Sequence, residues 1–265
     1  MDEAQGFREL VWQKSRDLYR DMPWRDEPSF YYVLVSELML QQTQVSRVLV
    51  KFDEFIEKFP TIELLAQAPL ADVLRAWQGL GYNRRAKFLH DAARYVVRHG
   101  ESDSLEELVK LPGVGRNTAG AIMNYVYQIP TPFVETNIRT VYLNHFFEGD
   151  KSVSDTEIYA LVARTIDREH PREWFWALMD YGAWLKSQGV GMLDASKHYR
   201  KQAPLKGSIR EVRGRIVVLL GQEDSDVETL AKAVGRDERF DTALEGLVRD
   251  GLVQRRGDAV HLTKH

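Results

Sequence analysis

The sequence contains no cysteine. That absence removes disulfides, thiolate catalysis, iron–sulfur clusters and cysteine-held zinc together. Long apolar runs are missing too: no segment approaches the roughly 20 consecutive apolar residues of a membrane span. The opening MDEAQGFREL has no basic stretch followed by an apolar one, so a cytoplasmic protein is expected, nucleoid-associated in a bacterium, with no membrane partner. Histidine is scarce, seven in 265 residues, and no two stand at a metal-ligand spacing within a carboxylate cluster. No catalytic metal and no cofactor for catalysis are therefore expected. A surplus of positive charge is also lacking, 36 Lys and Arg against 39 Asp and Glu for a net charge of -3. Phosphate binding depends on a local cationic face rather than on the total. One such stretch exists: Lys186 to Arg215 carries eight Lys or Arg against Asp194 and Glu211. On composition alone it reads equally well as a solvated, lysine-rich linker.

What is abundant is helical patterning. Phe7, Leu10, Val11, Leu18 and Tyr19 recur at helical spacing, in a helix that ends near Met22-Pro23. Phe30 to Gln42 is apolar on nearly every side and is expected to be central. Further helices fit 48–59, 62–68, 70–78, 84–99, 105–109, 118–127, 137–146, 155–167 and 172–186. No strand-like alternation occurs before residue 250. Residues 202–208, QAPLKGS, read as a linker. Beyond it, helices at 209–220, 227–234 and 239–250 precede two short apolar runs, Leu252-Val253 and Val260 to Leu262, around Arg255-Arg256-Gly257-Asp258. Three helices and a hairpin outline a winged helix. Its third helix, DERFDTALEGLVRD, has five acids and two arginines, which fits a structural or protein-binding role as well as base readout. The Arg255-Arg256 wing remains a candidate for phosphate. With no coiled-coil heptads, a monomer is expected.

The most informative short stretch is Leu108 to Ala119, LVKLPGVGRNTA. A short helix ends at Pro112-Gly113, and Gly113 and Gly115 flank Val114 before a new helix begins. Glycine at both places lets the backbone approach a phosphate and aim amides at it, while the next helix adds its positive N-terminus. Lys110 and Arg116 add charge at the rim, and Thr118 follows in the first turn. The simpler reading is a tight turn that needs glycine for its backbone angles.

This stretch resembles the helix-hairpin-helix of base-excision DNA glycosylases. Other segments resemble the adenine DNA glycosylase branch of that superfamily in the same order: Pro23-Trp24-Arg25, Ser36-Glu37 to Gln44, Phe59-Pro60-Thr61, Trp77 to Tyr82 and Met179-Asp180-Tyr181-Gly182-Ala183. The similarity covers about residues 7–200. It implies an all-α, two-lobed fold, with 1–29 plus 132–201 as one lobe, 30–131 as the lobe carrying the hairpin, 202–208 as linker and 209–265 as the winged-helix-like domain. It implies double-stranded DNA with a mismatch or lesion as partner, with a protein partner for the C-terminal domain as a further candidate. A monovalent cation at the hairpin is also implied.

A glycosylase must turn the base into a better leaving group and stabilise the positive charge that develops on the sugar. Two carboxylates in different settings can divide these roles. Glu37 sits in the apolar VLVSELMLQQ, where burial would keep a carboxyl protonated; by itself it reads first as a hydrogen-bonded or wet-stripe glutamate. The resemblance makes it the acid that protonates adenine. It makes Glu135, in Phe133-Val-Glu-Thr-Asn137, the sugar-facing carboxylate, with Asn137 orienting it; without the resemblance Glu135 is a helix-start charge. The family has aspartate at this position, one methylene shorter. The resemblance also assigns Gln41, Gln42 and Thr43 to the wedge that enters the base stack, Tyr82 to the aromatic beside the opposite base with Arg84 nearby, and Trp24 and Arg25 to the base pocket. Lys197 and Arg200 are candidates for phosphate.

Four further departures matter. Asn117 stands where strand-cleaving relatives of the endonuclease III type carry a lysine, and an amide cannot form a Schiff base. Lys186 stands where the first of four cluster-holding cysteines is expected, so the iron–sulfur cluster is absent and packing around Trp184, Met192 and Tyr199 is expected in its place. The roughly 57 residues after the linker are too few for the Nudix-like domain that reads 8-oxoguanine in the family, and Asn83 replaces a second aromatic. The leading expectation is a monofunctional glycosylase for adenine in mismatches. Thymine, uracil or another modified base is the first alternative, and a catalytically silent DNA-binding protein is the second.

Overall fold

The computed structural model describes residues 3–150, 152–191, 193–197 and 203–264. In chain order the helices are α1 (Glu3–Leu18), α2 (Pro23–Asp26), α3 (Phe30–Leu40), α4 (Val45–Lys58), α5 (Ile62–Gln67), α6 (Leu70–Ala76), α7 (Arg84–His99) and α8 (Leu105–Leu108). They continue as α9 (Arg116–Tyr125), α10 (Thr136–Phe146), α11 (Asp155–Thr165) and α12 (Pro171–Ser187), with a 3-10 turn at Leu193–Ala195. Last come α13 (Ile209–Gln222), β1 (Ser225–Asp226), α14 (Val227–Val234), α15 (Glu238–Arg249), β2 (Val253–Arg256) and β3 (Ala259–Leu262). The fold is all-helical with a small antiparallel sheet near the C-terminus, as expected from the sequence.

Local chemistry sets most of these boundaries. The Thr61 side chain accepts from Leu64 N and starts α5. Ser154 and Glu157 form a reciprocal capping box on α11, and Ser208, Asp226 and Asp237 cap α13, α14 and α15. Each cap satisfies backbone donors that a helix start leaves open. Several boundaries differ from the sequence reading: α1 ends at Leu18 rather than near Met22-Pro23, α4 starts at Val45 rather than 48, and α9 starts at Arg116 rather than 118. The helix expected over 30–42 stops at Leu40, because Gln42 turns into the left-handed region at φ 56. β1 was not foreseen; two residues are too short for any alternation, and pairing of Ser225 with Val260 defines them.

The described residues fall into two compact units, 1–33 with 102–110 and 114–201, and 34–101 with 111–113 and 202–265. These cut the chain differently from the lobes expected. Residues 114–131 group with the first unit, where Arg172 donates to Tyr125 O at 2.5 Å and Val126 O at 3.0 Å. The C-terminal module groups with 34–101, where α13 packs on α6 and Arg75 Nε donates to Gly221 O at 2.8 Å.

The core of the first unit joins Phe7 and Val11 of α1 to Tyr142 of α10 and Trp174 of α12. There α10 and α12 meet so closely that a Cβ on Gly182 would stand 2.6 Å from Asn137 C. The second unit buries Phe52, Phe55, Leu65, Leu70 and Trp77 completely or nearly so. Within its C-terminal module, Ile216, Phe240, Leu247 and Val260 form the core. The sheet order is β1-β3-β2, with β2 pairing to β3 from Val253 with Leu262 to Arg256 with Ala259. Among the described residues no helix is long and apolar enough to cross a membrane.

Candidate functional site

α3 is buried almost all round. From Val33 to Met39 only Glu37 is half-exposed, while Ser36, Leu38 and Met39 are buried. A helix that is apolar on every face packs on every face, so its single carboxylate has a fixed position. Where α3 ends, its carbonyls need donors, and Arg85 of α7 provides them. Arg85 Nη1 donates to Leu38 O and Met39 O, both at 2.8 Å, and to Gln41 O at 2.6 Å. Its Nη2 donates to Thr43 Oγ1 at 3.0 Å, Leu80 O at 3.2 Å and Gly81 O at 3.1 Å. Burial lowers Arg85 to about 10, with Tyr82 opposing, so it stays charged at neutral pH. One guanidinium thus ties the Gln41–Thr43 segment to the turn that carries Tyr82. Both segments contain a residue in the left-handed region, Gln42 at φ 56 and Tyr82 at φ 48. Side chains other than glycine adopt such angles at a cost, and they concentrate where a structure places a contact residue deliberately.

The hairpin turn packs against α3 and α7. Gly113 has φ +79, and a Cβ there would stand 2.7 Å from Phe88 Cβ and 3.0 Å from Leu38 Cδ2. Its carbonyl accepts from Gln41 Nε2 at 3.2 Å. Gly115 differs: it is extended, at φ -88 and ψ 177, and heads α9 without a side-chain cap. A Cβ there meets nothing within 4 Å, so glycine is not needed for its angles; it leaves the backbone approachable. Val114 and Thr118 are buried, whereas Gly115 and Arg116 are exposed. Lys110 pairs with Glu107 at 2.6 Å.

Glu135 is the N-cap of α10. Its Oε1 accepts from Asn137 N at 2.5 Å and Ile138 N at 3.0 Å, which leaves Oε2 for other work. Burial raises its carboxyl above the ordinary value, opposed by the Ile138 hydrogen bond, the Lys186 ammonium, the Asn137 hydrogen bond and Arg139, in that order. Lys186 is in turn lowered, first by burial, with Glu135 opposing and Arg20 reinforcing. The main-chain amide of Asn137 holds Glu135; its side chain instead points to Met179 Sδ at 3.9 Å. Asn117 reaches the same segment from α9. Its Nδ2 donates to Val134 O at 2.6 Å and its Oδ1 accepts from Val134 N at 3.4 Å, a two-point grip on the residue before Glu135.

Residues 35–164 match the model of the HhH-GPD superfamily base excision DNA repair proteins. An adenine DNA glycosylase of Mycobacterium tuberculosis is 36% identical over 282 residues, covering 94% of this chain and 90% of the relative. The chain belongs to this superfamily. The adenine DNA glycosylase of Mycolicibacterium smegmatis is 35% identical over 268 residues, with 90% and 89% covered. A thermostable thymine-DNA glycosylase shares the fold at TM-score 0.62 and 23% identity, over 68% of this chain and 86% of that one. A trapped endonuclease III–DNA intermediate does so at TM-score 0.56 and 19% identity, over 77% and 92%.

Other positions of this HhH-GPD protein are built into its framework. Trp24 and Arg25 are both buried, each about 6% exposed. The Arg25 fork binds Asp180 at 2.7 and 3.0 Å, and also Arg20 O at 2.9 Å. Tyr19 and Trp176 lie against its guanidinium at 5.4 and 5.2 Å. Arg25 is thus paired with Asp180 inside the first unit. Arg84 is exposed and stands 3.8 Å from Asp250. Lys197 is exposed, and its backbone donates to Val153 O at 3.0 Å. Arg200, Met192 and Tyr199 lie outside the described residues. Without cysteine there can be no cysteine-held cluster. Its region is closed by Val153 N to Ala195 O at 2.8 Å, and by Trp184, stacked on Tyr181 at 6.0 Å and covered by Lys14 at 5.3 Å.

A cation at the hairpin would have to be held by main-chain carbonyls. One of these, Gly113 O, accepts from Gln41 Nε2 at 3.2 Å. No group of three His, Asp or Glu that could hold a metal occurs among the described residues. The sequence reading missed Arg85, although its spacing exposes it: Arg85 falls in register with Leu89, Ala92, Ala93 and Val96 on the buried face of α7. A cation on an apolar stripe signals a buried hydrogen-bond hub.

Proposed function

We propose that this protein is a monofunctional DNA glycosylase that hydrolyses the bond between adenine and deoxyribose at a mismatch. The observation that carries the proposal is the identity over nearly the whole chain to proteins named adenine DNA glycosylase. The target nucleotide must leave the stack before any side chain can reach it. Glu37 gives a proton to a ring nitrogen of the adenine, so the base departs neutral. The C1′–N bond breaks, and the positive charge left on the sugar faces Glu135. Water adds to C1′ and loses a proton, leaving free adenine and an abasic site in an intact strand. Asn117 has no amine with which to form a Schiff base, so no strand cleavage follows from that position. The exposed Arg116 and the amides at Gly115 meet the phosphates next to the lesion.

The test uses labelled duplexes carrying adenine opposite 8-oxoguanine, guanine or cytosine, and thymine or uracil opposite guanine. Each is read with and without hot alkali. Alkali-dependent breakage at adenine, lost in Glu37→Gln with binding retained, is expected. Breakage without alkali overturns the monofunctional assignment, and an active Glu37→Gln overturns the acid. The longer Glu135 and the single aromatic at Tyr82-Asn83 favour one second reading, a modified or pyrimidine base, and breakage confined to thymine or uracil supports it.

A further inference from the structure

We infer that Arg210, on the first helix of the C-terminal module, is a positioning residue for Tyr82, so that this module governs how the strand opposite the excised base is read. The inference rests on the proposed reading of Tyr82 as a DNA contact. Tyr82 is half-exposed, at φ 48, and directly follows a turn with Gly79 at φ 94 and Gly81 at φ 71. A ring on so permissive a turn is poorly placed to stand beside the opposite base unless something holds it. Two guanidinium groups do so. Arg85, three residues further on, lies 5.5 Å from the ring centroid. Arg210, which lies 128 residues further along the chain, stands 4.8 Å from the centroid and donates Nη1 to the phenol oxygen.

Arg210 is itself fixed. Its Nη2 donates to Ala203 O at 3.3 Å, and the helix that carries it is docked by Arg75 on Gly221 O at 2.8 Å. The Gln78 side chain lies close against Gly221 beside it. Asp250, at the end of α15, accepts from Arg213 at 2.6 Å and faces Arg84 at 3.8 Å. The module therefore meets α6 and the start of α7, the elements that flank the Tyr82 turn, and contributes one side chain to it. An arginine that both covers a ring and grips its hydroxyl removes rotamer freedom before DNA arrives. Ordering a side chain in advance strengthens binding of the partner it fits. The acidic third helix of the module needs no DNA contact for this task.

The experiment uses the full chain and reads binding, which does not depend on excision. Dissociation constants are measured for duplexes with adenine opposite 8-oxoguanine or guanine, and for the same duplex with adenine opposite thymine. The preference ratio is compared among the parent, Arg210→Met, Arg210→Lys, Tyr82→Phe and the double variant Arg210→Met with Tyr82→Phe. Arg210→Met is expected to lower the ratio about tenfold, with Arg210→Lys recovering part of it. Tyr82→Phe lowers the ratio less, and the double variant falls no further than Arg210→Met alone. Melting temperatures are recorded beside these. A lowered melting temperature with an unchanged ratio makes Arg210 a mere fastener and overturns the inference. Independent, multiplying effects in the double variant also overturn it, as does a parent with no preference among the duplexes. If the parent excises no base yet its ratio falls in Arg210→Met, the inference stands and the proposed activity is what fails.

Discussion

Glu135 carries two demands on one carboxylate: it caps α10 through Oε1, and in the proposed reaction it must be ionised to face a sugar cation. Its raised carboxyl, caused first by burial, gives both demands a pH dependence. Because the folded state holds the proton more tightly than the unfolded chain, Glu135 supports folding fully below the ordinary carboxylate range. That support is lost as pH rises through the raised folded value. Glu135→Gln should therefore melt no lower than the parent at neutral pH and lose any advantage in acid, as thermal unfolding across pH will show. For excision the sign is opposite, since only the ionised form works. Single-turnover rates should fall on acidification along a limb above the usual carboxylate range of about 4.3, and a limb at or below that range would contradict the role. Asp180 gives a second residue-scale prediction. It is 1% exposed at the side chain and pairs with both Arg20 and Arg25. Asp180→Ala leaves Arg25 charged and buried, at a cost of about 3–5 kcal/mol in urea or thermal unfolding. A loss below about 1 kcal/mol would show that water replaces the pair.

At the scale of elements, the site depends on loops held by side chains from neighbouring helices. Asn117 holds Val134 from α9 at two points, and the carboxylate one residue later inherits that position. Asn117→Ala should lower the single-turnover excision rate about ten- to hundredfold with little change in duplex affinity, because the displaced group acts in the transition state. An equal loss of affinity would place Asn117 on the DNA instead. The α10–α12 crossing is tighter still. Gly182→Ala sets a methyl against the Asn137 backbone, 2.6 Å from its carbonyl carbon, and should cost about 3 kcal/mol of stability. A variant that melts like the parent would mean that the two helices separate freely.

For the whole molecule, a net charge of -3 coexists with a proposed polyanionic partner, so binding must come from a local face. Affinity for duplex should fall at least tenfold between about 50 and 200 mM salt, and Arg116→Ala should reduce the log–log slope by about 1. A salt-insensitive affinity would remove the phosphate role of the hairpin.

Much was legible before any coordinates. The helical periods gave the elements to within a few residues, the missing cysteines excluded the cluster, and the ordered motifs from Pro23 to Ala183 gave the family. These signals are local, in residue type and spacing, so a linear reading reaches them. What was not legible depends on partners distant in the chain. Gly113 and Gly115 look alike in sequence, yet only Gly113 has a positive φ and is walled in by Phe88 and Leu38. Trp24-Arg25 looked like a pocket edge, but Asp180, 155 residues away, draws the arginine inward. β1 exists only through pairing with β3, and the C-terminal module reaches Tyr82 only because α13 docks on α6. Composition and spacing fix which groups are available, whereas burial, ion pairing and backbone strain arise from contacts that only folding makes.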